Sequence, residues 1–256
     1  MAGIRILDLV PVMVTEALRG AMEDRRRLAE ELRASTGGLV ELEVEALDMG
    51  TASIESLYDE YVNAPYILAK VREAEERGFN AVVIDCFGDP ALEAARELVD
   101  IPVVGAHHSA CHLAAQLAGR YTIINILPET RHQILSLQAK YGLTGHLASI
   151  ETIDVPVLEI EEKSGEALER IVEAALRAYR EHNAFAAVLG CTGLSFLAQR
   201  AQEGLAARGA EIPVIEPLRA AVYTAISWAL MGVSHSRAAY MKPRPKPRRA
   251  DFKLPL

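Results

Sequence analysis

The sequence predicts an α/β protein built of two similar lobes, each with a mostly parallel sheet. The lobes are related by a pseudo-two-fold axis, and their functional edges face one cleft between them. Two observations predict this. Short apolar runs alternate with helical patterns along the whole chain, the signature of parallel sheets covered by helices. One unit also occurs twice. Cys86 follows the run Ala81-Val82-Val83-Ile84-Asp85, and Cys191 follows Ala186-Ala187-Val188-Leu189-Gly190. Each cysteine leads into a turn and a helical pattern, and then into Ile101-Pro102-Val103-Val104 or Ile212-Pro213-Val214-Ile215.

The elements follow in order. Residues 4–10 form an apolar run that reads as a strand, and 16–33 place apolar residues at helical spacing. Residues 39–47 alternate acids with apolar residues, a strand with one wet face. Ser56 opens a helix over 56–77. Strands at 81–85 and 101–104 flank a helix over 91–99, for which Asp89-Pro90 supplies an N-cap and a proline at the first helical position. A helix over 109–118 closes the first series. The second runs strand 121–126, helix 129–141, extended 148–160, helix 166–182, strand 186–189, helix 194–208, strand 212–215 and helix 218–231. The predicted lobes are residues 1–117 and 118–217, with the last helix packing back on the first lobe.

Composition narrows the function. Half of the 256 residues are hydrophobic, enough for two lobes with their own cores. Three cysteines are too few for a disulfide scaffold, which predicts reduced thiols and a cytoplasmic location. The N-terminus lacks a signal-peptide pattern, and no apolar run approaches the roughly 18 residues of a membrane helix. The formal charge is −8; residues 242–256 hold six Lys/Arg and one Asp, so the rest carries −13. So acidic a body does not invite nucleic acid, and no nucleic-acid partner is expected. The basic, proline-rich tail reads as an extended arm on an acidic surface.

Ligands of parallel sheets bind beyond the carboxyl ends of strands, where Cys86 and Cys191 fall. Two facing thiols, one ionised and one protonated, suit inversion at carbon. One removes a proton from one face and the other delivers a proton to the opposite face. The turns Phe87-Gly88 and Thr192-Gly193 supply backbone N–H groups for an enolate oxygen. No metal or organic cofactor is needed. A single thiolate would serve other reactions, such as decarboxylation; the pair points to inversion.

The segments Asp85-Cys86-Phe87-Gly88-Asp89-Pro90 and Leu189-Gly190-Cys191-Thr192-Gly193 resemble the two catalytic motifs of the aspartate/glutamate/hydantoin racemase superfamily, and of its hydantoin racemase branch above all. Ala52-Ser53-Ile54-Glu55, Tyr58-Asp59-Glu60, Tyr141-Gly142-Leu143 and Ser234-His235-Ser236-Arg237 support the match. The resemblance implies two Rossmann-like lobes, cofactor-independent racemisation at a carbon α to a carbonyl, homo-oligomers, and Cys86 and Cys191 as the acid–base pair. It implies a small-molecule substrate, a 5-monosubstituted hydantoin first. An amino-acid racemase, another open-chain acid isomerase and a ligand-binding relative without turnover are the alternatives.

The chain departs from the family pattern at three places. Val10-Pro11-Val12 stands where an Asn-Pro-Asn is common, Ile124-Asn125 where Thr-Thr is common, and His107-His108 where a small residue and an acid are common. Val12, Asn125, His107 and His108 therefore join Phe87, Gly88, Thr192 and Gly193 as expected substrate contacts. His108 and His112 are four apart, as are His107 and Cys111, but no metal is assigned to them. Cys111 reads as core. Ser53 and Glu55 read as a loop over the cleft or a helix start, Ser234–Arg237 as structural or interfacial, and the acids at 159–162 as a solvated face.

Overall fold

The computed structural model describes residues 3–248. The first sheet contains β1 (Ile4–Met13), β2 (Val40–Leu47), β3 (Ala81–Ile84) and β4 (Val103–Gly105), in the order β2-β1-β3-β4. The second contains β5 (Tyr121–Asn125), β6 (Leu147–Thr152), β7 (Ala187–Leu189) and β8 (Val214–Ile215), in the order β6-β5-β7-β8. Every pairing is parallel. β3 and β7 thus hold the same place in two sheets of one topology, and each is buried along its length. The sequence reading of the fold class is therefore met.

Eight α-helices connect the strands among the described residues: α1 (Arg19–Ser35), α2 (Leu57–Glu76), α3 (Leu92–Leu98), α4 (Ala106–Ala118), α5 (Arg131–Lys140), α6 (Ser164–His182), α7 (Ala198–Ala207) and α8 (Pro217–Met231). Three expected helices begin as 3-10 turns, at Glu16–Leu18, Pro128–Thr130 and Thr192–Leu197. Of the segment expected to be extended over 148–160, only the first part is strand; Val157–Glu159 is a 3-10 turn.

Two helices change lobes. In α8, Leu218, Ala221, Val222, Ala225 and Ile226 pack on Ile4, Ile6, Val83 and Val104 of the first sheet. In α4, which follows the first sheet, Ala110, Cys111 and Ala114 pack on Tyr121, Ile123, Val188 and Ile215 of the second. Each fully buried Leu, Val or Ile in these contacts contributes about 1.5–3 kcal/mol. The crossing of α4, placed by sequence in the first lobe, is the reciprocal half of the exchange, and it ties the lobes into one body.

The start of α3 differs from expectation. Asp89 and Ala91 adopt left-handed backbone angles (φ 47° and 58°), and the helix begins only at Leu92. The Asp89 carboxylate does not cap α3. It accepts from the backbone N–H groups of His107 and His108, both at 3.0 Å, in the first turn of α4. Those N–H groups have no partner within their own helix, and that of His107 is buried, so the carboxylate satisfies them across the lobe. Gly105 leaves the space: a Cβ there would lie 2.5 Å from the carboxylate. The same capping starts α4 three residues earlier than predicted, which draws His107 and His108 into it.

Near the C-terminus, Ser234 donates to the carbonyl of Asp100 (2.8 Å), the His235 ring meets the carbonyl of Val99 (3.0 Å), and Arg237 pairs with Asp100 (2.8 Å). The segment straps the chain to the turn between α3 and β4. Lys242 of the basic tail also pairs with Asp100 (2.6 Å); residues 249–256 of that predicted arm lie outside the described residues. Among the described residues no helix is long and apolar enough to cross a membrane.

Candidate active site

The ends of β3 and β7 carry the two cysteines in matched turns. The Gly88 N–H donates to Cys86 Sγ (3.4 Å) and the Gly193 N–H to Cys191 Sγ (3.3 Å). The Asp89 N–H donates to the Cys86 carbonyl and the Leu194 N–H to the Cys191 carbonyl, both at 3.1 Å. The repeat seen in sequence is thus repeated in hydrogen bonding. It also changes one expectation: the Gly88 and Gly193 N–H groups are directed at the sulfurs, where they favour the thiolate form.

One cavity between the lobes is lined by both cysteines and both turns, Phe87-Gly88 and Thr192-Gly193. Val10 and Val12 of β1 and Ile54 give it an apolar wall, while Ser53, Glu60, Asn125, Thr130 and Gln133 give it polar groups. Asn125 is tied to its own loop: its amide donates to the carbonyl of Leu127 (2.5 Å) and accepts from Thr130 (2.7 Å).

His107 and His108 are not among the residues that line this cavity. His107 is fully buried, stacked on Phe87 at 4.3 Å. Gln138 donates to its Nε2 (2.7 Å), so its Nδ1–H donates to the carbonyl of Phe87 (3.1 Å). Burial pulls its pKa down to about 3, so it is neutral. His108 opens instead on a groove between α4 and α8, with its ring 4.4 Å from His112. Among the described residues no group of three or more His, Cys, Asp or Glu is placed to hold a metal. Cys111 is buried with its thiol pushed up to about 12.

The neutrality of His107 has a measurable consequence. Its folded pKa lies below the ordinary value of 6.5, so its contribution to stability is fully present above pH 6.5 and is lost as pH falls toward about 3. In His107→Gln the urea midpoint should fall less steeply between pH 6.5 and 4 than in the parent. An unchanged slope would contradict burial of the neutral ring.

Sequence reasoning missed a buried charge cluster beneath the cysteine turns. Arg25 of α1 pairs through Nε with Asp85, the residue before Cys86. The same guanidinium donates to the carbonyl of Ala21 (2.8 Å) and to Thr192 Oγ1 (3.4 Å), the residue after Cys191. Thr192 Oγ1 in turn donates to the Asp85 carbonyl (3.3 Å), which closes a link between the two turns. Asp8 lies in the same cluster, fully buried, with neither carboxyl oxygen hydrogen-bonded. Burial and the neighbouring Asp85 push its pKa well up, against the opposing pull of Arg25. Glu216 caps α8, accepting from Leu218 and Arg219 N–H (both 2.7 Å) and from Ser195 (2.5 Å). A signal did exist for Arg25: it sits on the stripe Ala21, Met22, Leu28, Leu32 that α1 buries.

Two acids join the lobes around the cavity. Glu55 accepts from the N–H of Val157 (2.7 Å). Glu161 accepts from Gly20 (3.3 Å) and Ala21 (2.8 Å) at the start of α1, which has no cap of its own. Glu161 thus departs from the solvated reading of 159–162: its negative charge sits on the positive end of a helix.

The family model for Asp/Glu/hydantoin racemases matches residues 25–225 of this chain. The chain belongs to that family. It is 38% identical over 174 residues to a hydantoin racemase of Pseudomonas sp. (strain NS671), covering 68% of each chain. It is 37% identical over 199 residues to a hydantoin racemase of Paenarthrobacter aurescens, 77% of this chain and 82% of the relative. An allantoin racemase from Klebsiella pneumoniae superposes with a TM-score of 0.85 at 34% identity, over 98% of both chains. The protein is accordingly a racemase, an isomerase by class.

Proposed function

We propose that this racemase inverts a carbon α to a carbonyl in a small molecule, a 5-monosubstituted hydantoin first, with Cys86 and Cys191 as acid and base. The observation that carries this is the pair of equivalent strand ends, each presenting a sulfur to one cavity. In one direction a thiolate removes the C5 proton from one face while the opposite thiol delivers its proton to the other face. The electron pair passes through the ring carbonyl and returns to carbon. Each turnover leaves the two sulfurs with exchanged protonation. A ring imide delocalises the carbanion, which brings its C–H within reach of a thiolate.

Burial pushes both thiols up, Cys191 to about 11 and Cys86 well above its ordinary value. The thiolate fraction therefore grows with pH, and turnover is expected to rise from neutral to mildly alkaline pH. The lining supports a neutral ring over an open-chain amino acid. Arg25, the one Lys or Arg among the described lining residues, is already engaged with Asp85. Neutral, buried His107 offers no charge to a carboxylate. A ureido substituent, as in allantoin, has support from the 34% identity to the allantoin racemase and from Glu60 and Gln133, which set an acceptor and an amide on the cavity wall.

The test is a panel of enantiopure 5-alkyl hydantoins, allantoin, aspartate and glutamate, followed by polarimetry. Loss of rotation with the ring substrates and none with the amino acids is the expected result. Racemisation of the amino acids alone would overturn the hydantoin reading.

A further inference from the structure

We infer that Cys191 is the first of the two cavity thiols to ionise and that Cys86 is the one that stays protonated, because the Glu60 carboxyl is packed on the Cys86 turn while Arg25, held between the two turns, donates to Thr192 beside Cys191. The two sulfurs are otherwise matched. Both face the same cavity and each accepts one backbone N–H, at 3.4 and 3.3 Å, so these contributions nearly cancel. What separates them is the set of charges around each.

Cys191 faces Arg25 of α1, Asp85 at the end of β3, and Glu55 from the segment before α2. Arg25 is the cation of that set, and it is not free to swing away. Its three anchors are Asp85, the Ala21 carbonyl and Thr192 Oγ1. Cys86 faces Glu60 of α2, Asp85 and Cys191 itself, all acidic groups. The Glu60 carboxyl fills the space beside Gly88, so close that a Cβ on that glycine would overlap Oε1. Gln133 of the second lobe donates to the same oxygen (3.4 Å). In a cavity partly closed to water such neighbours act strongly. Burial and nearby Asp89 raise Glu60 to about 7, so its charge appears across the neutral range and opposes a second charge on Cys86.

The catalytic consequence rests on the two-thiol reading. An enzyme resting with its charge on Cys191 accepts the enantiomer whose C–H faces Cys191. It leaves that turnover with the charge on Cys86, the less favourable arrangement. Proton exchange with solvent must then restore the resting form before the same enantiomer is taken again.

The ionisation order itself is read without substrate, so its failure and a failure of the racemase mechanism are distinguishable. Native protein is treated with iodoacetamide between pH 6 and 9, and alkylation of each cysteine peptide is followed by mass spectrometry. Buried Cys111 remains unlabelled as long as the fold is intact. Cys191 should label first, and its rate should climb about tenfold per pH unit. The Cys86 rate should climb less steeply through pH 7, as Glu60 ionises. In Glu60→Gln the Cys86 rate should rise several-fold above pH 7 with Cys191 unchanged; comparing one cysteine across variants cancels differences of access. Cys86 labelling first in the parent, or a Cys86 profile with no break near pH 7, overturns the inference without recourse to the variant. A Glu60→Gln protein with both rates unmoved overturns it as well.

Discussion

Cys86→Ser and Cys191→Ser are each expected to lose racemisation by at least about 10²–10⁴-fold, the span that positioned acid–base groups contribute. A serine hydroxyl at either strand end keeps the turn but is a far weaker acid and base at neutral pH. The Gly88 and Gly193 N–H groups that face the sulfurs remain in place, so folding should be little affected. The two variants should still differ from each other. Each retains one thiol, and each should exchange the C5 proton of one enantiomer with deuterated solvent, the two variants favouring opposite enantiomers. Racemisation surviving in both would remove the two-thiol mechanism and leave the fold assignment untouched.

Arg25→Met is expected to cost about 3–5 kcal/mol of folding stability, the range for removing one member of a buried ion pair. Asp85 would be left buried with its second oxygen, already without a hydrogen bond, joined by an unpaired first. Asp8 would lose the cation that offsets part of its burial. The Cys86 and Cys191 turns would lose the guanidinium that spans them. Urea denaturation measures the loss. The double variant Arg25→Met, Asp85→Leu should recover much of it, since the uncompensated charge is removed along with its partner. A single variant within about 1 kcal/mol of the parent would contradict the role given to this cluster.

Much of the fold was legible because the information is local. β3 and β7 are short apolar runs between polar turns, and their repeat shows directly in residues 81–86 and 186–191. What escaped depends on partners distant in sequence. Pro11 reads as a strand end, yet β1 continues to Met13. A register shift between Val10 and Met13 accommodates the break, and the Pro11 carbonyl accepts from Asn63 of α2 (2.9 Å). Asp89-Pro90 looks like a local cap, but the carboxylate serves the N-terminus of α4, 18 residues away. The α4–α8 exchange follows from two apolar helix faces whose target sheets cannot be told apart by periodicity. At the site, the residues flanking the cysteines were legible from position alone. His107 sits off the cavity because Phe87, Gln138 and Tyr141 meet it only in the folded chain. Tyr121 donates to Gln138 (2.6 Å), which fixes the amide that donates to the His107 ring.

The central claim is that two sulfurs act on opposite faces of one carbon, and the most direct test follows the unmodified enzyme in deuterated water with one enantiomer of a 5-substituted hydantoin. Early in the reaction, mass spectrometry after chiral separation should find deuterium at C5 of the inverted product while the remaining substrate still carries hydrogen. Deuterium appearing in remaining substrate and inverted product at equal rates would point to one base serving both faces and would contradict the account.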